Sequence, residues 1–353
     1  MSRSGKESTE QAMNRQRLET LLEICAAASE VLILPHNDPD PDAIGSALAL
    51  AYLIREKLGI NGLVAYSGII GRAENKALVR YLGQPLQRLA NSDMETIRPV
   101  ALVDTQPGTG NNALPPAARA AIVIDHHPRQ ALSKTAIFAD VRPEIGATCT
   151  MLTGYLQAAG VELPQWLATA LFYGIKTDTL GLARGASSAD VAAYFYLQGQ
   201  VDVEALAEIE QAQLPIEYFQ QLDAALHAAR LYGDLVISYV PQAHRPDLAA
   251  EMADLFLRLE GTQWVVCIEA YNDELILSVR TRERRGGAGL AVRAIVAEQG
   301  TAGGHGTMAA GHVPLHGRDP DGLAQELVKR ALRHLGKAPD TGIPLTAPPG
   351  SEQ

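Results

Sequence analysis

Cysteine is scarce in this chain. Cys25, Cys149 and Cys267 are odd in number, far apart and in apolar contexts, and no CxxC occurs. That excludes a disulfide framework and a thiolate zinc site, and leaves buried free thiols in a reducing compartment. Aromatic residues amount to 5%, too few for a long base-stacking platform. Basic charge is in deficit: 30 Lys and Arg stand against 40 Asp and Glu, giving a net charge of −10 and a pI of about 5.4. This balance excludes broad coating of a duplex through its phosphates, although a local cationic centre with a few Arg can still hold a short anion. No uninterrupted apolar run approaches the ~18 residues of a membrane span, and the polar N-terminal stretch Met1–Asn14 lacks the apolar core of a secretion signal. A soluble cytoplasmic protein without membrane contact is expected. HExxH, a GxxxxGK(S/T) P-loop and GxGxxG are all missing, so zincin, P-loop and dinucleotide-binding readings have no support.

What is present is acid and imidazole at the ends of apolar runs. Val31-Leu32-Ile33-Leu34, closed by Pro35, reads as a buried strand. It opens onto His36-Asn37-Asp38-Pro39-Asp40-Pro41-Asp42, and the apolar-rich stretch from Ile44 to Leu58 then reads as a helix. Val100–Val103 ends in Asp104, and Ala121–Ile124 ends in Asp125-His126-His127. Asp178 follows a further apolar stretch. An Asp at a strand end is most often a helix cap or turn residue. Four such donors in one βα-patterned region are hard to explain that way, because so much buried anionic and imidazole character is costly unless a cation neutralises it.

The chain's 353 residues, 47% hydrophobic and 20% charged, suggest two domains with ample core. Strands near 31–35, 62–67, 100–104 and 121–125 alternate with helical segments near 43–58 and 72–82. This is βαβ patterning: an α/β fold with a mostly parallel N-terminal sheet and helices on both faces. Further helices are expected at about 147–159, 164–175 and 188–199. The expected organisation is a disordered stretch at 1–14, a catalytic domain at 15–200, a helical connector at 201–233, a smaller α/β domain at 234–336 and a disordered tail at 337–353. The connector would let the two domains close on a substrate.

Seven donors (His36, Asp40, Asp42, Asp104, His126, His127 and Asp178) suit a site of hard oxygen with some imidazole. Without thiolate, such a site favours Mn²⁺, with Mg²⁺ or Co²⁺ possible. Asp38, Asp40 and Asp42 mimic three positions of an EF-hand loop. Ala43 and Ala49 stand where that loop needs Gly and Glu, so a calcium loop is rejected. In the second half, Arg280, Arg282, Arg284 and Arg285 make a basic patch inside an acidic protein. The Gly-rich run Gly300–Gly306 holds Gly303, Gly304 and His305 in an expected loop.

These motifs resemble the DHH phosphoesterase superfamily, in the branch with a C-terminal DHHA1 domain that includes RecJ-like exonucleases and the small oligoribonuclease/pAp phosphatases. The resemblance runs from about residue 30 to 315. It rests on His36–Ser46, Asp104, Asp125-His126-His127, Gly174-Ile175 with Asp178, and Gly303-Gly304-His305 with Ala309-Ala310-Gly311. Pro41 and Ala302 depart from the family pattern without removing a ligand. The resemblance implies two divalent cations that activate water. His36, Asp40 and Asp104 would hold one; Asp42, a bridging Asp104, His126 and Asp178 the other. His127 would contact the substrate phosphate and Asp125 would orient a neighbouring imidazole, the plain alternative for Asp125 being a turn cap. Arg280, Arg282, Gly303, Gly304 and His305 would bind substrate, and Asp38 would be solvated and dispensable. The implied substrates are short single-stranded RNA, pApA or pAp. Competing readings are a cyclic-dinucleotide phosphodiesterase, a pyrophosphate or polyphosphate hydrolase, and an inactive nucleotide sensor. A homodimer is a possible assembly.

Overall fold

The computed structural model describes residues 3–90, 93–94, 98–283 and 286–346, and of these gives the backbone alone for 3–11 and His305. It divides into two units, Met1–Ala212 and Gln213–Gln353. In the first, β1 (Glu30–Leu34), β2 (Asn61–Tyr66), β3 (Gln87–Arg88), β4 (Val100–Val103), β5 (Ile122–Asp125) and β6 (Phe138–Val141) form one parallel sheet in the order β3-β2-β1-β4-β5-β6. Val31 and Ile33 enter one core with Val103, Ile122 and Ile124, while Leu32 and Leu34 enter another with Leu102 and Val123. Both faces of the sheet are covered, so its central strands carry continuous apolar runs, Val31–Leu34, Val100–Val103 and Ile122–Ile124, instead of alternating. The strand order reverses between β1 and β4, and ligands bind beyond the carboxyl ends of such a pair. His36 follows β1 there, and Asp104 follows β4.

Three helices close over this edge: Pro41–Leu58, Thr148–Ala159 and Gln165–Asp178. They meet where only glycine fits. A Cβ on Gly174 would lie 2.6 Å from Cys149 Sγ and 3.0 Å from Asp42 Cα, and one on Gly45 would lie 2.9 Å from the same sulfur. This close approach delivers Asp178, the last residue of its helix, towards Asp42 in the first turn of another.

The second unit carries β7 (Arg230–Tyr232), β8 (Leu235–Val240), β9 (Trp264–Tyr271), β10 (Glu274–Thr281), β11 (Thr301–His305), β12 (Met308–Pro314) and β13 (Ile343–Pro344) in one sheet, ordered β11-β12-β10-β9-β8-β7-β13. Its pairings are antiparallel except β8 with β9, which the helix Leu248–Phe256 connects. No helix among the described residues is long and apolar enough to cross a membrane.

Four expectations need correction. The N-terminal stretch expected to be disordered belongs to a helix, Arg3–Ala26. Its Lys, Glu, Gln, Met and Arg are good helix formers, and they extend a helix already anchored by buried Leu18, Leu21 and Cys25. The expected connector is split, with Val203–Glu210 in the first unit and Ile216–Ala228 in the second. Part of the tail is ordered: Ile343 and Pro344 pair with β7, and an edge strand tolerates the proline. The Gly-rich run is a strand, β11, because β12 supplies its backbone partners.

Candidate metal centre

His36 and His126 are oriented in the same way. His36 Nδ1 donates to the Asn37 carbonyl at 2.7 Å, and His126 Nδ1 to the Ile145 carbonyl at 3.2 Å. A carbonyl can only accept, so each ring keeps its proton on Nδ1 and turns Nε2 inward. His36 Nε2 lies 3.7 Å from Asp40 Oδ1 and 3.6 Å from Asp104 Oδ2. His126 Nε2 lies 3.1 Å from Asp178 Oδ2, 3.5 Å from Asp104 Oδ1 and 4.0 Å from Asp42 Oδ2. Asp104 therefore turns one carboxylate oxygen to each imidazole. The groups His36/Asp40/Asp104 and Asp42/His126/Asp178 each bring donor atoms within 4.8 Å of one another, as does Asp104 with His126 and His127.

The backbone supports this arrangement at some expense. Asp104 has φ +59°, a left-handed conformation that few residues besides Gly, Asn and Asp adopt. Thr148 and Cys149 begin a helix, and their amides donate to Asp42 Oδ2 and Oδ1, each at 2.7 Å. The Thr148 hydroxyl donates to Asp104 Oδ1 at 2.9 Å. One helix N-terminus thus fixes both buried acids. Asp40 caps its own helix, Oδ1 accepting from the Ala43 amide at 3.0 Å, and the same carboxylate faces His36.

Electrostatics identify what the cluster needs. Burial, then the neighbouring Asp104 and Asp178 charges, raise the Asp42 carboxyl well above its usual range. Burial also raises that of Asp104, against the pull of His126. Burial alone would lower both imidazoles, yet the carboxylates win: Asp40 and Asp104 lift His36 to about 10, and Asp178, Asp104 and Asp42 raise His126. Asp40 is driven below the ordinary carboxylate range, since His36 outweighs its burial. The acids lack positive charge, and the imidazoles are drawn to supply it. His126 Nε2 is buried without a hydrogen bond. An imidazole nitrogen without a hydrogen bond, converging with carboxylate oxygens, fits a divalent cation.

Asp125 is buried but caps no turn. Its Oδ1 lies 2.8 Å from His127 Nδ1, and its Oδ2 accepts from Gln106 Nε2 at 2.6 Å. Those two partners hold its carboxyl below the usual range despite burial, which opposes them. Gln106 Oε1 accepts from the Gln130 amide and the Ser133 hydroxyl, both at 2.7 Å, so the amide cannot turn. The His127 side chain is 37% exposed.

Thr148 and Gln106 escaped the sequence reading. Thr148 opens a helix, which is a legible signal; nothing local marks Gln106. Asp38 is exposed as expected but not idle, since its Oδ1 accepts from the Ile69 amide at 2.6 Å.

In the second unit, Arg280 is 8% exposed, and its guanidinium donates to Asp254 Oδ1 at 2.6 Å and Ser278 Oγ at 2.7 Å. Arg282 is exposed, with Nε donating to the Leu257 carbonyl at 2.9 Å. A Cβ on Gly304 would meet Ala309 Cα at 2.3 Å, so the β11–β12 pairing itself demands that glycine, while Gly303 has open space. Arg284, Arg285 and the His305 side chain lie outside the described residues.

Residues 30–175 match the DHH family, N-terminal domain. An uncharacterized protein of Methanocaldococcus jannaschii is 37% identical over 286 residues, 81% of this chain and 58% of that protein. A probable manganese-dependent inorganic pyrophosphatase of Streptococcus agalactiae is 30% identical over 155 residues, 43% of this chain and 49% of the relative. The chain thus spans about half the length of these curated relatives. Among solved structures, an exopolyphosphatase-related protein from Bacteroides fragilis shares the fold with a TM-score of 0.67 at 15% identity, covering 92% of this chain and 96% of that one. RecJ from Thermus thermophilus, in complex with Mn²⁺, has a TM-score of 0.52 at 15% identity and covers 91% of this chain and 55% of that one.

Proposed function

The chain belongs to the DHH superfamily, and from that membership and the geometry above we propose that it is a divalent-metal-dependent phosphoesterase acting on short oligonucleotides or small nucleotides. The observation that carries this reading is Asp104, whose two oxygens face two separate donor groups. His36, Asp40 and Asp104 would hold one cation, and Asp42, Asp104, His126 and Asp178 the other, with manganese favoured by the donor chemistry. When bound, such a pair supplies Lewis-acid activation of water and of the phosphoryl oxygens.

The chain's own residues do the rest. His127, half exposed and oriented by Asp125, is assigned the substrate phosphate, where an imidazole proton offsets developing charge. In the second unit, Arg282, Gly303, Gly304 and His305 are assigned to substrate binding. Arg280, committed to Asp254, serves them more as an anchored base than as a free fork. A cytoplasmic setting suits three buried free thiols.

Hydrolysis of pyrophosphate or polyphosphate is the second reading, favoured by the identity shared with the streptococcal pyrophosphatase. A Mn²⁺-supplemented panel of pAp, pApA, cyclic di-AMP, 5-mer and 20-mer RNA, and pyrophosphate separates the readings. Release of mononucleotide from pApA or the 5-mer supports the proposal. Turnover of pyrophosphate alone overturns it in favour of the second reading, and binding without turnover marks a sensor.

A further inference from the structure

The helix that ends in Asp178 stops in an unusual way. The Gly181 amide donates to the Lys176 carbonyl at 2.7 Å, and the Leu180 amide to the Thr177 carbonyl at 3.3 Å. These two bonds are the pair that closes a helix through a left-handed residue, a position normally given to glycine. Here it is Leu180, at φ +49°. Leu182, two residues later, is also left-handed at φ +72°, but its side chain packs against the core of the first unit. Leu180 has no such return: it is 60% exposed.

The turn is held firmly. The Thr179 hydroxyl donates to the Ile175 carbonyl at 2.6 Å and accepts from the Leu182 amide at 3.0 Å. Arg184 Nη2 donates to the Asp178 carbonyl at 2.8 Å. A strained, rigid and exposed leucine therefore stands two residues from a side chain whose carboxylate lies 3.1 Å from His126 Nε2. Two peptide units separate their Cα atoms by at most about 7.6 Å, within the reach of one nucleotide.

Resting on the function proposed above, we infer that Leu180 is a specificity-determining residue: an apolar lip beside the metal centre that takes the base or ribose face of a nucleotide substrate. Inorganic pyrophosphate and polyphosphate have no such face. The backbone strain is retained because the side chain is used when substrate is bound, which is how strained residues persist at functional sites.

The test compares wild type with Leu180→Gly, Leu180→Asn and Leu180→Met in the Mn²⁺-loaded full chain, reading Tm, Mn²⁺ affinity and the KM and kcat for pApA. Glycine and asparagine both accept the left-handed turn. Both variants should therefore melt higher than wild type by a few degrees, yet raise KM roughly tenfold, as loss of one apolar contact does. Mn²⁺ affinity should not move, and Leu180→Met should keep the wild-type KM. Unchanged KM in the glycine and asparagine variants overturns the inference alone. A fall in Tm together with a raised KM makes Leu180 a packing residue and also overturns it. A wild-type protein inactive on pApA, pAp and RNA overturns the nucleotide reading itself.

Discussion

Two clusters of buried charge occupy the same parallel-sheet unit, and only in one of them is the buried acid met by arginine. Asp140, on β6, is met by Arg142 through Nε at 2.9 Å and Nη2 at 2.6 Å, by the Tyr155 hydroxyl, and by Arg17 at 3.5 Å. Arg142 also donates to Asn14 at 3.0 Å. Every formal charge there has an opposite within reach, so the cluster ties the N-terminal helix to the sheet and needs nothing from outside. Around Asp42 and Asp104, the ion pairs among the described residues are with histidines alone. A self-compensated cluster is architecture. One that draws protons onto its imidazoles is waiting for a cation.

The sharpest way to break this contrast is Asp104→Ala. Turnover of the best substrate should fall by more than about a thousandfold, since the shared ligand goes and metal occupancy with it. The rise in Tm that Mn²⁺ gives the wild type should vanish. Near-normal activity with Mn²⁺ would show that the unbalanced cluster is not the site. Arg142→Met probes the other cluster. Removing the guanidinium that meets both Asp140 oxygens, with Arg17 and the Tyr155 hydroxyl left in place, should cost up to about 3–5 kcal/mol in a urea melt, with Mn²⁺ affinity in the surviving fold unchanged. A large loss of affinity would mean that the two clusters are one system.

Thr148→Val asks how far the supporting hydroxyl matters. Removing the hydrogen bond to Asp104 should weaken Mn²⁺ binding by ~10–100-fold in calorimetry, and Thr148→Ser should restore it. If both variants bind alike, Asp104 is held by its backbone alone.

The smallest effect belongs to the second unit, whose buried Glu269 has one oxygen without a partner. Burial, opposed only in part by the Ala249 amide, raises its carboxyl from an ordinary 4.5 to about 8. Between these values it is protonated in the fold and ionised in the unfolded chain. It therefore withdraws stability as pH rises through that window. Glu269→Gln should flatten the dependence and raise stability at pH 8 more than at pH 5, read from urea melts at the two pH values. An unchanged slope would mean that Glu269 is ionised in the fold.

The parallel sheet was legible because burial on both faces leaves continuous apolar runs such as Val31–Leu34. The donors were legible because each closes such a run or follows one. The hairpin of β11 was not, since a glycine-rich strand carries no side-chain pattern and takes its form from β12. Gln106 was not, since its amide matters only through Asp125, 19 residues away and on the next strand.

The order of residues along the chain determined the strands, the acids and imidazoles at their ends, and the superfamily, because these are properties of short segments. The tertiary structure alone decided that Asp104 turns one oxygen to each imidazole, that a helix N-terminus holds Asp42, and that Asp140 is neutralised while Asp42 is not. Net charge in a pocket is a sum over segments far apart in the chain, and only folding brings its members together.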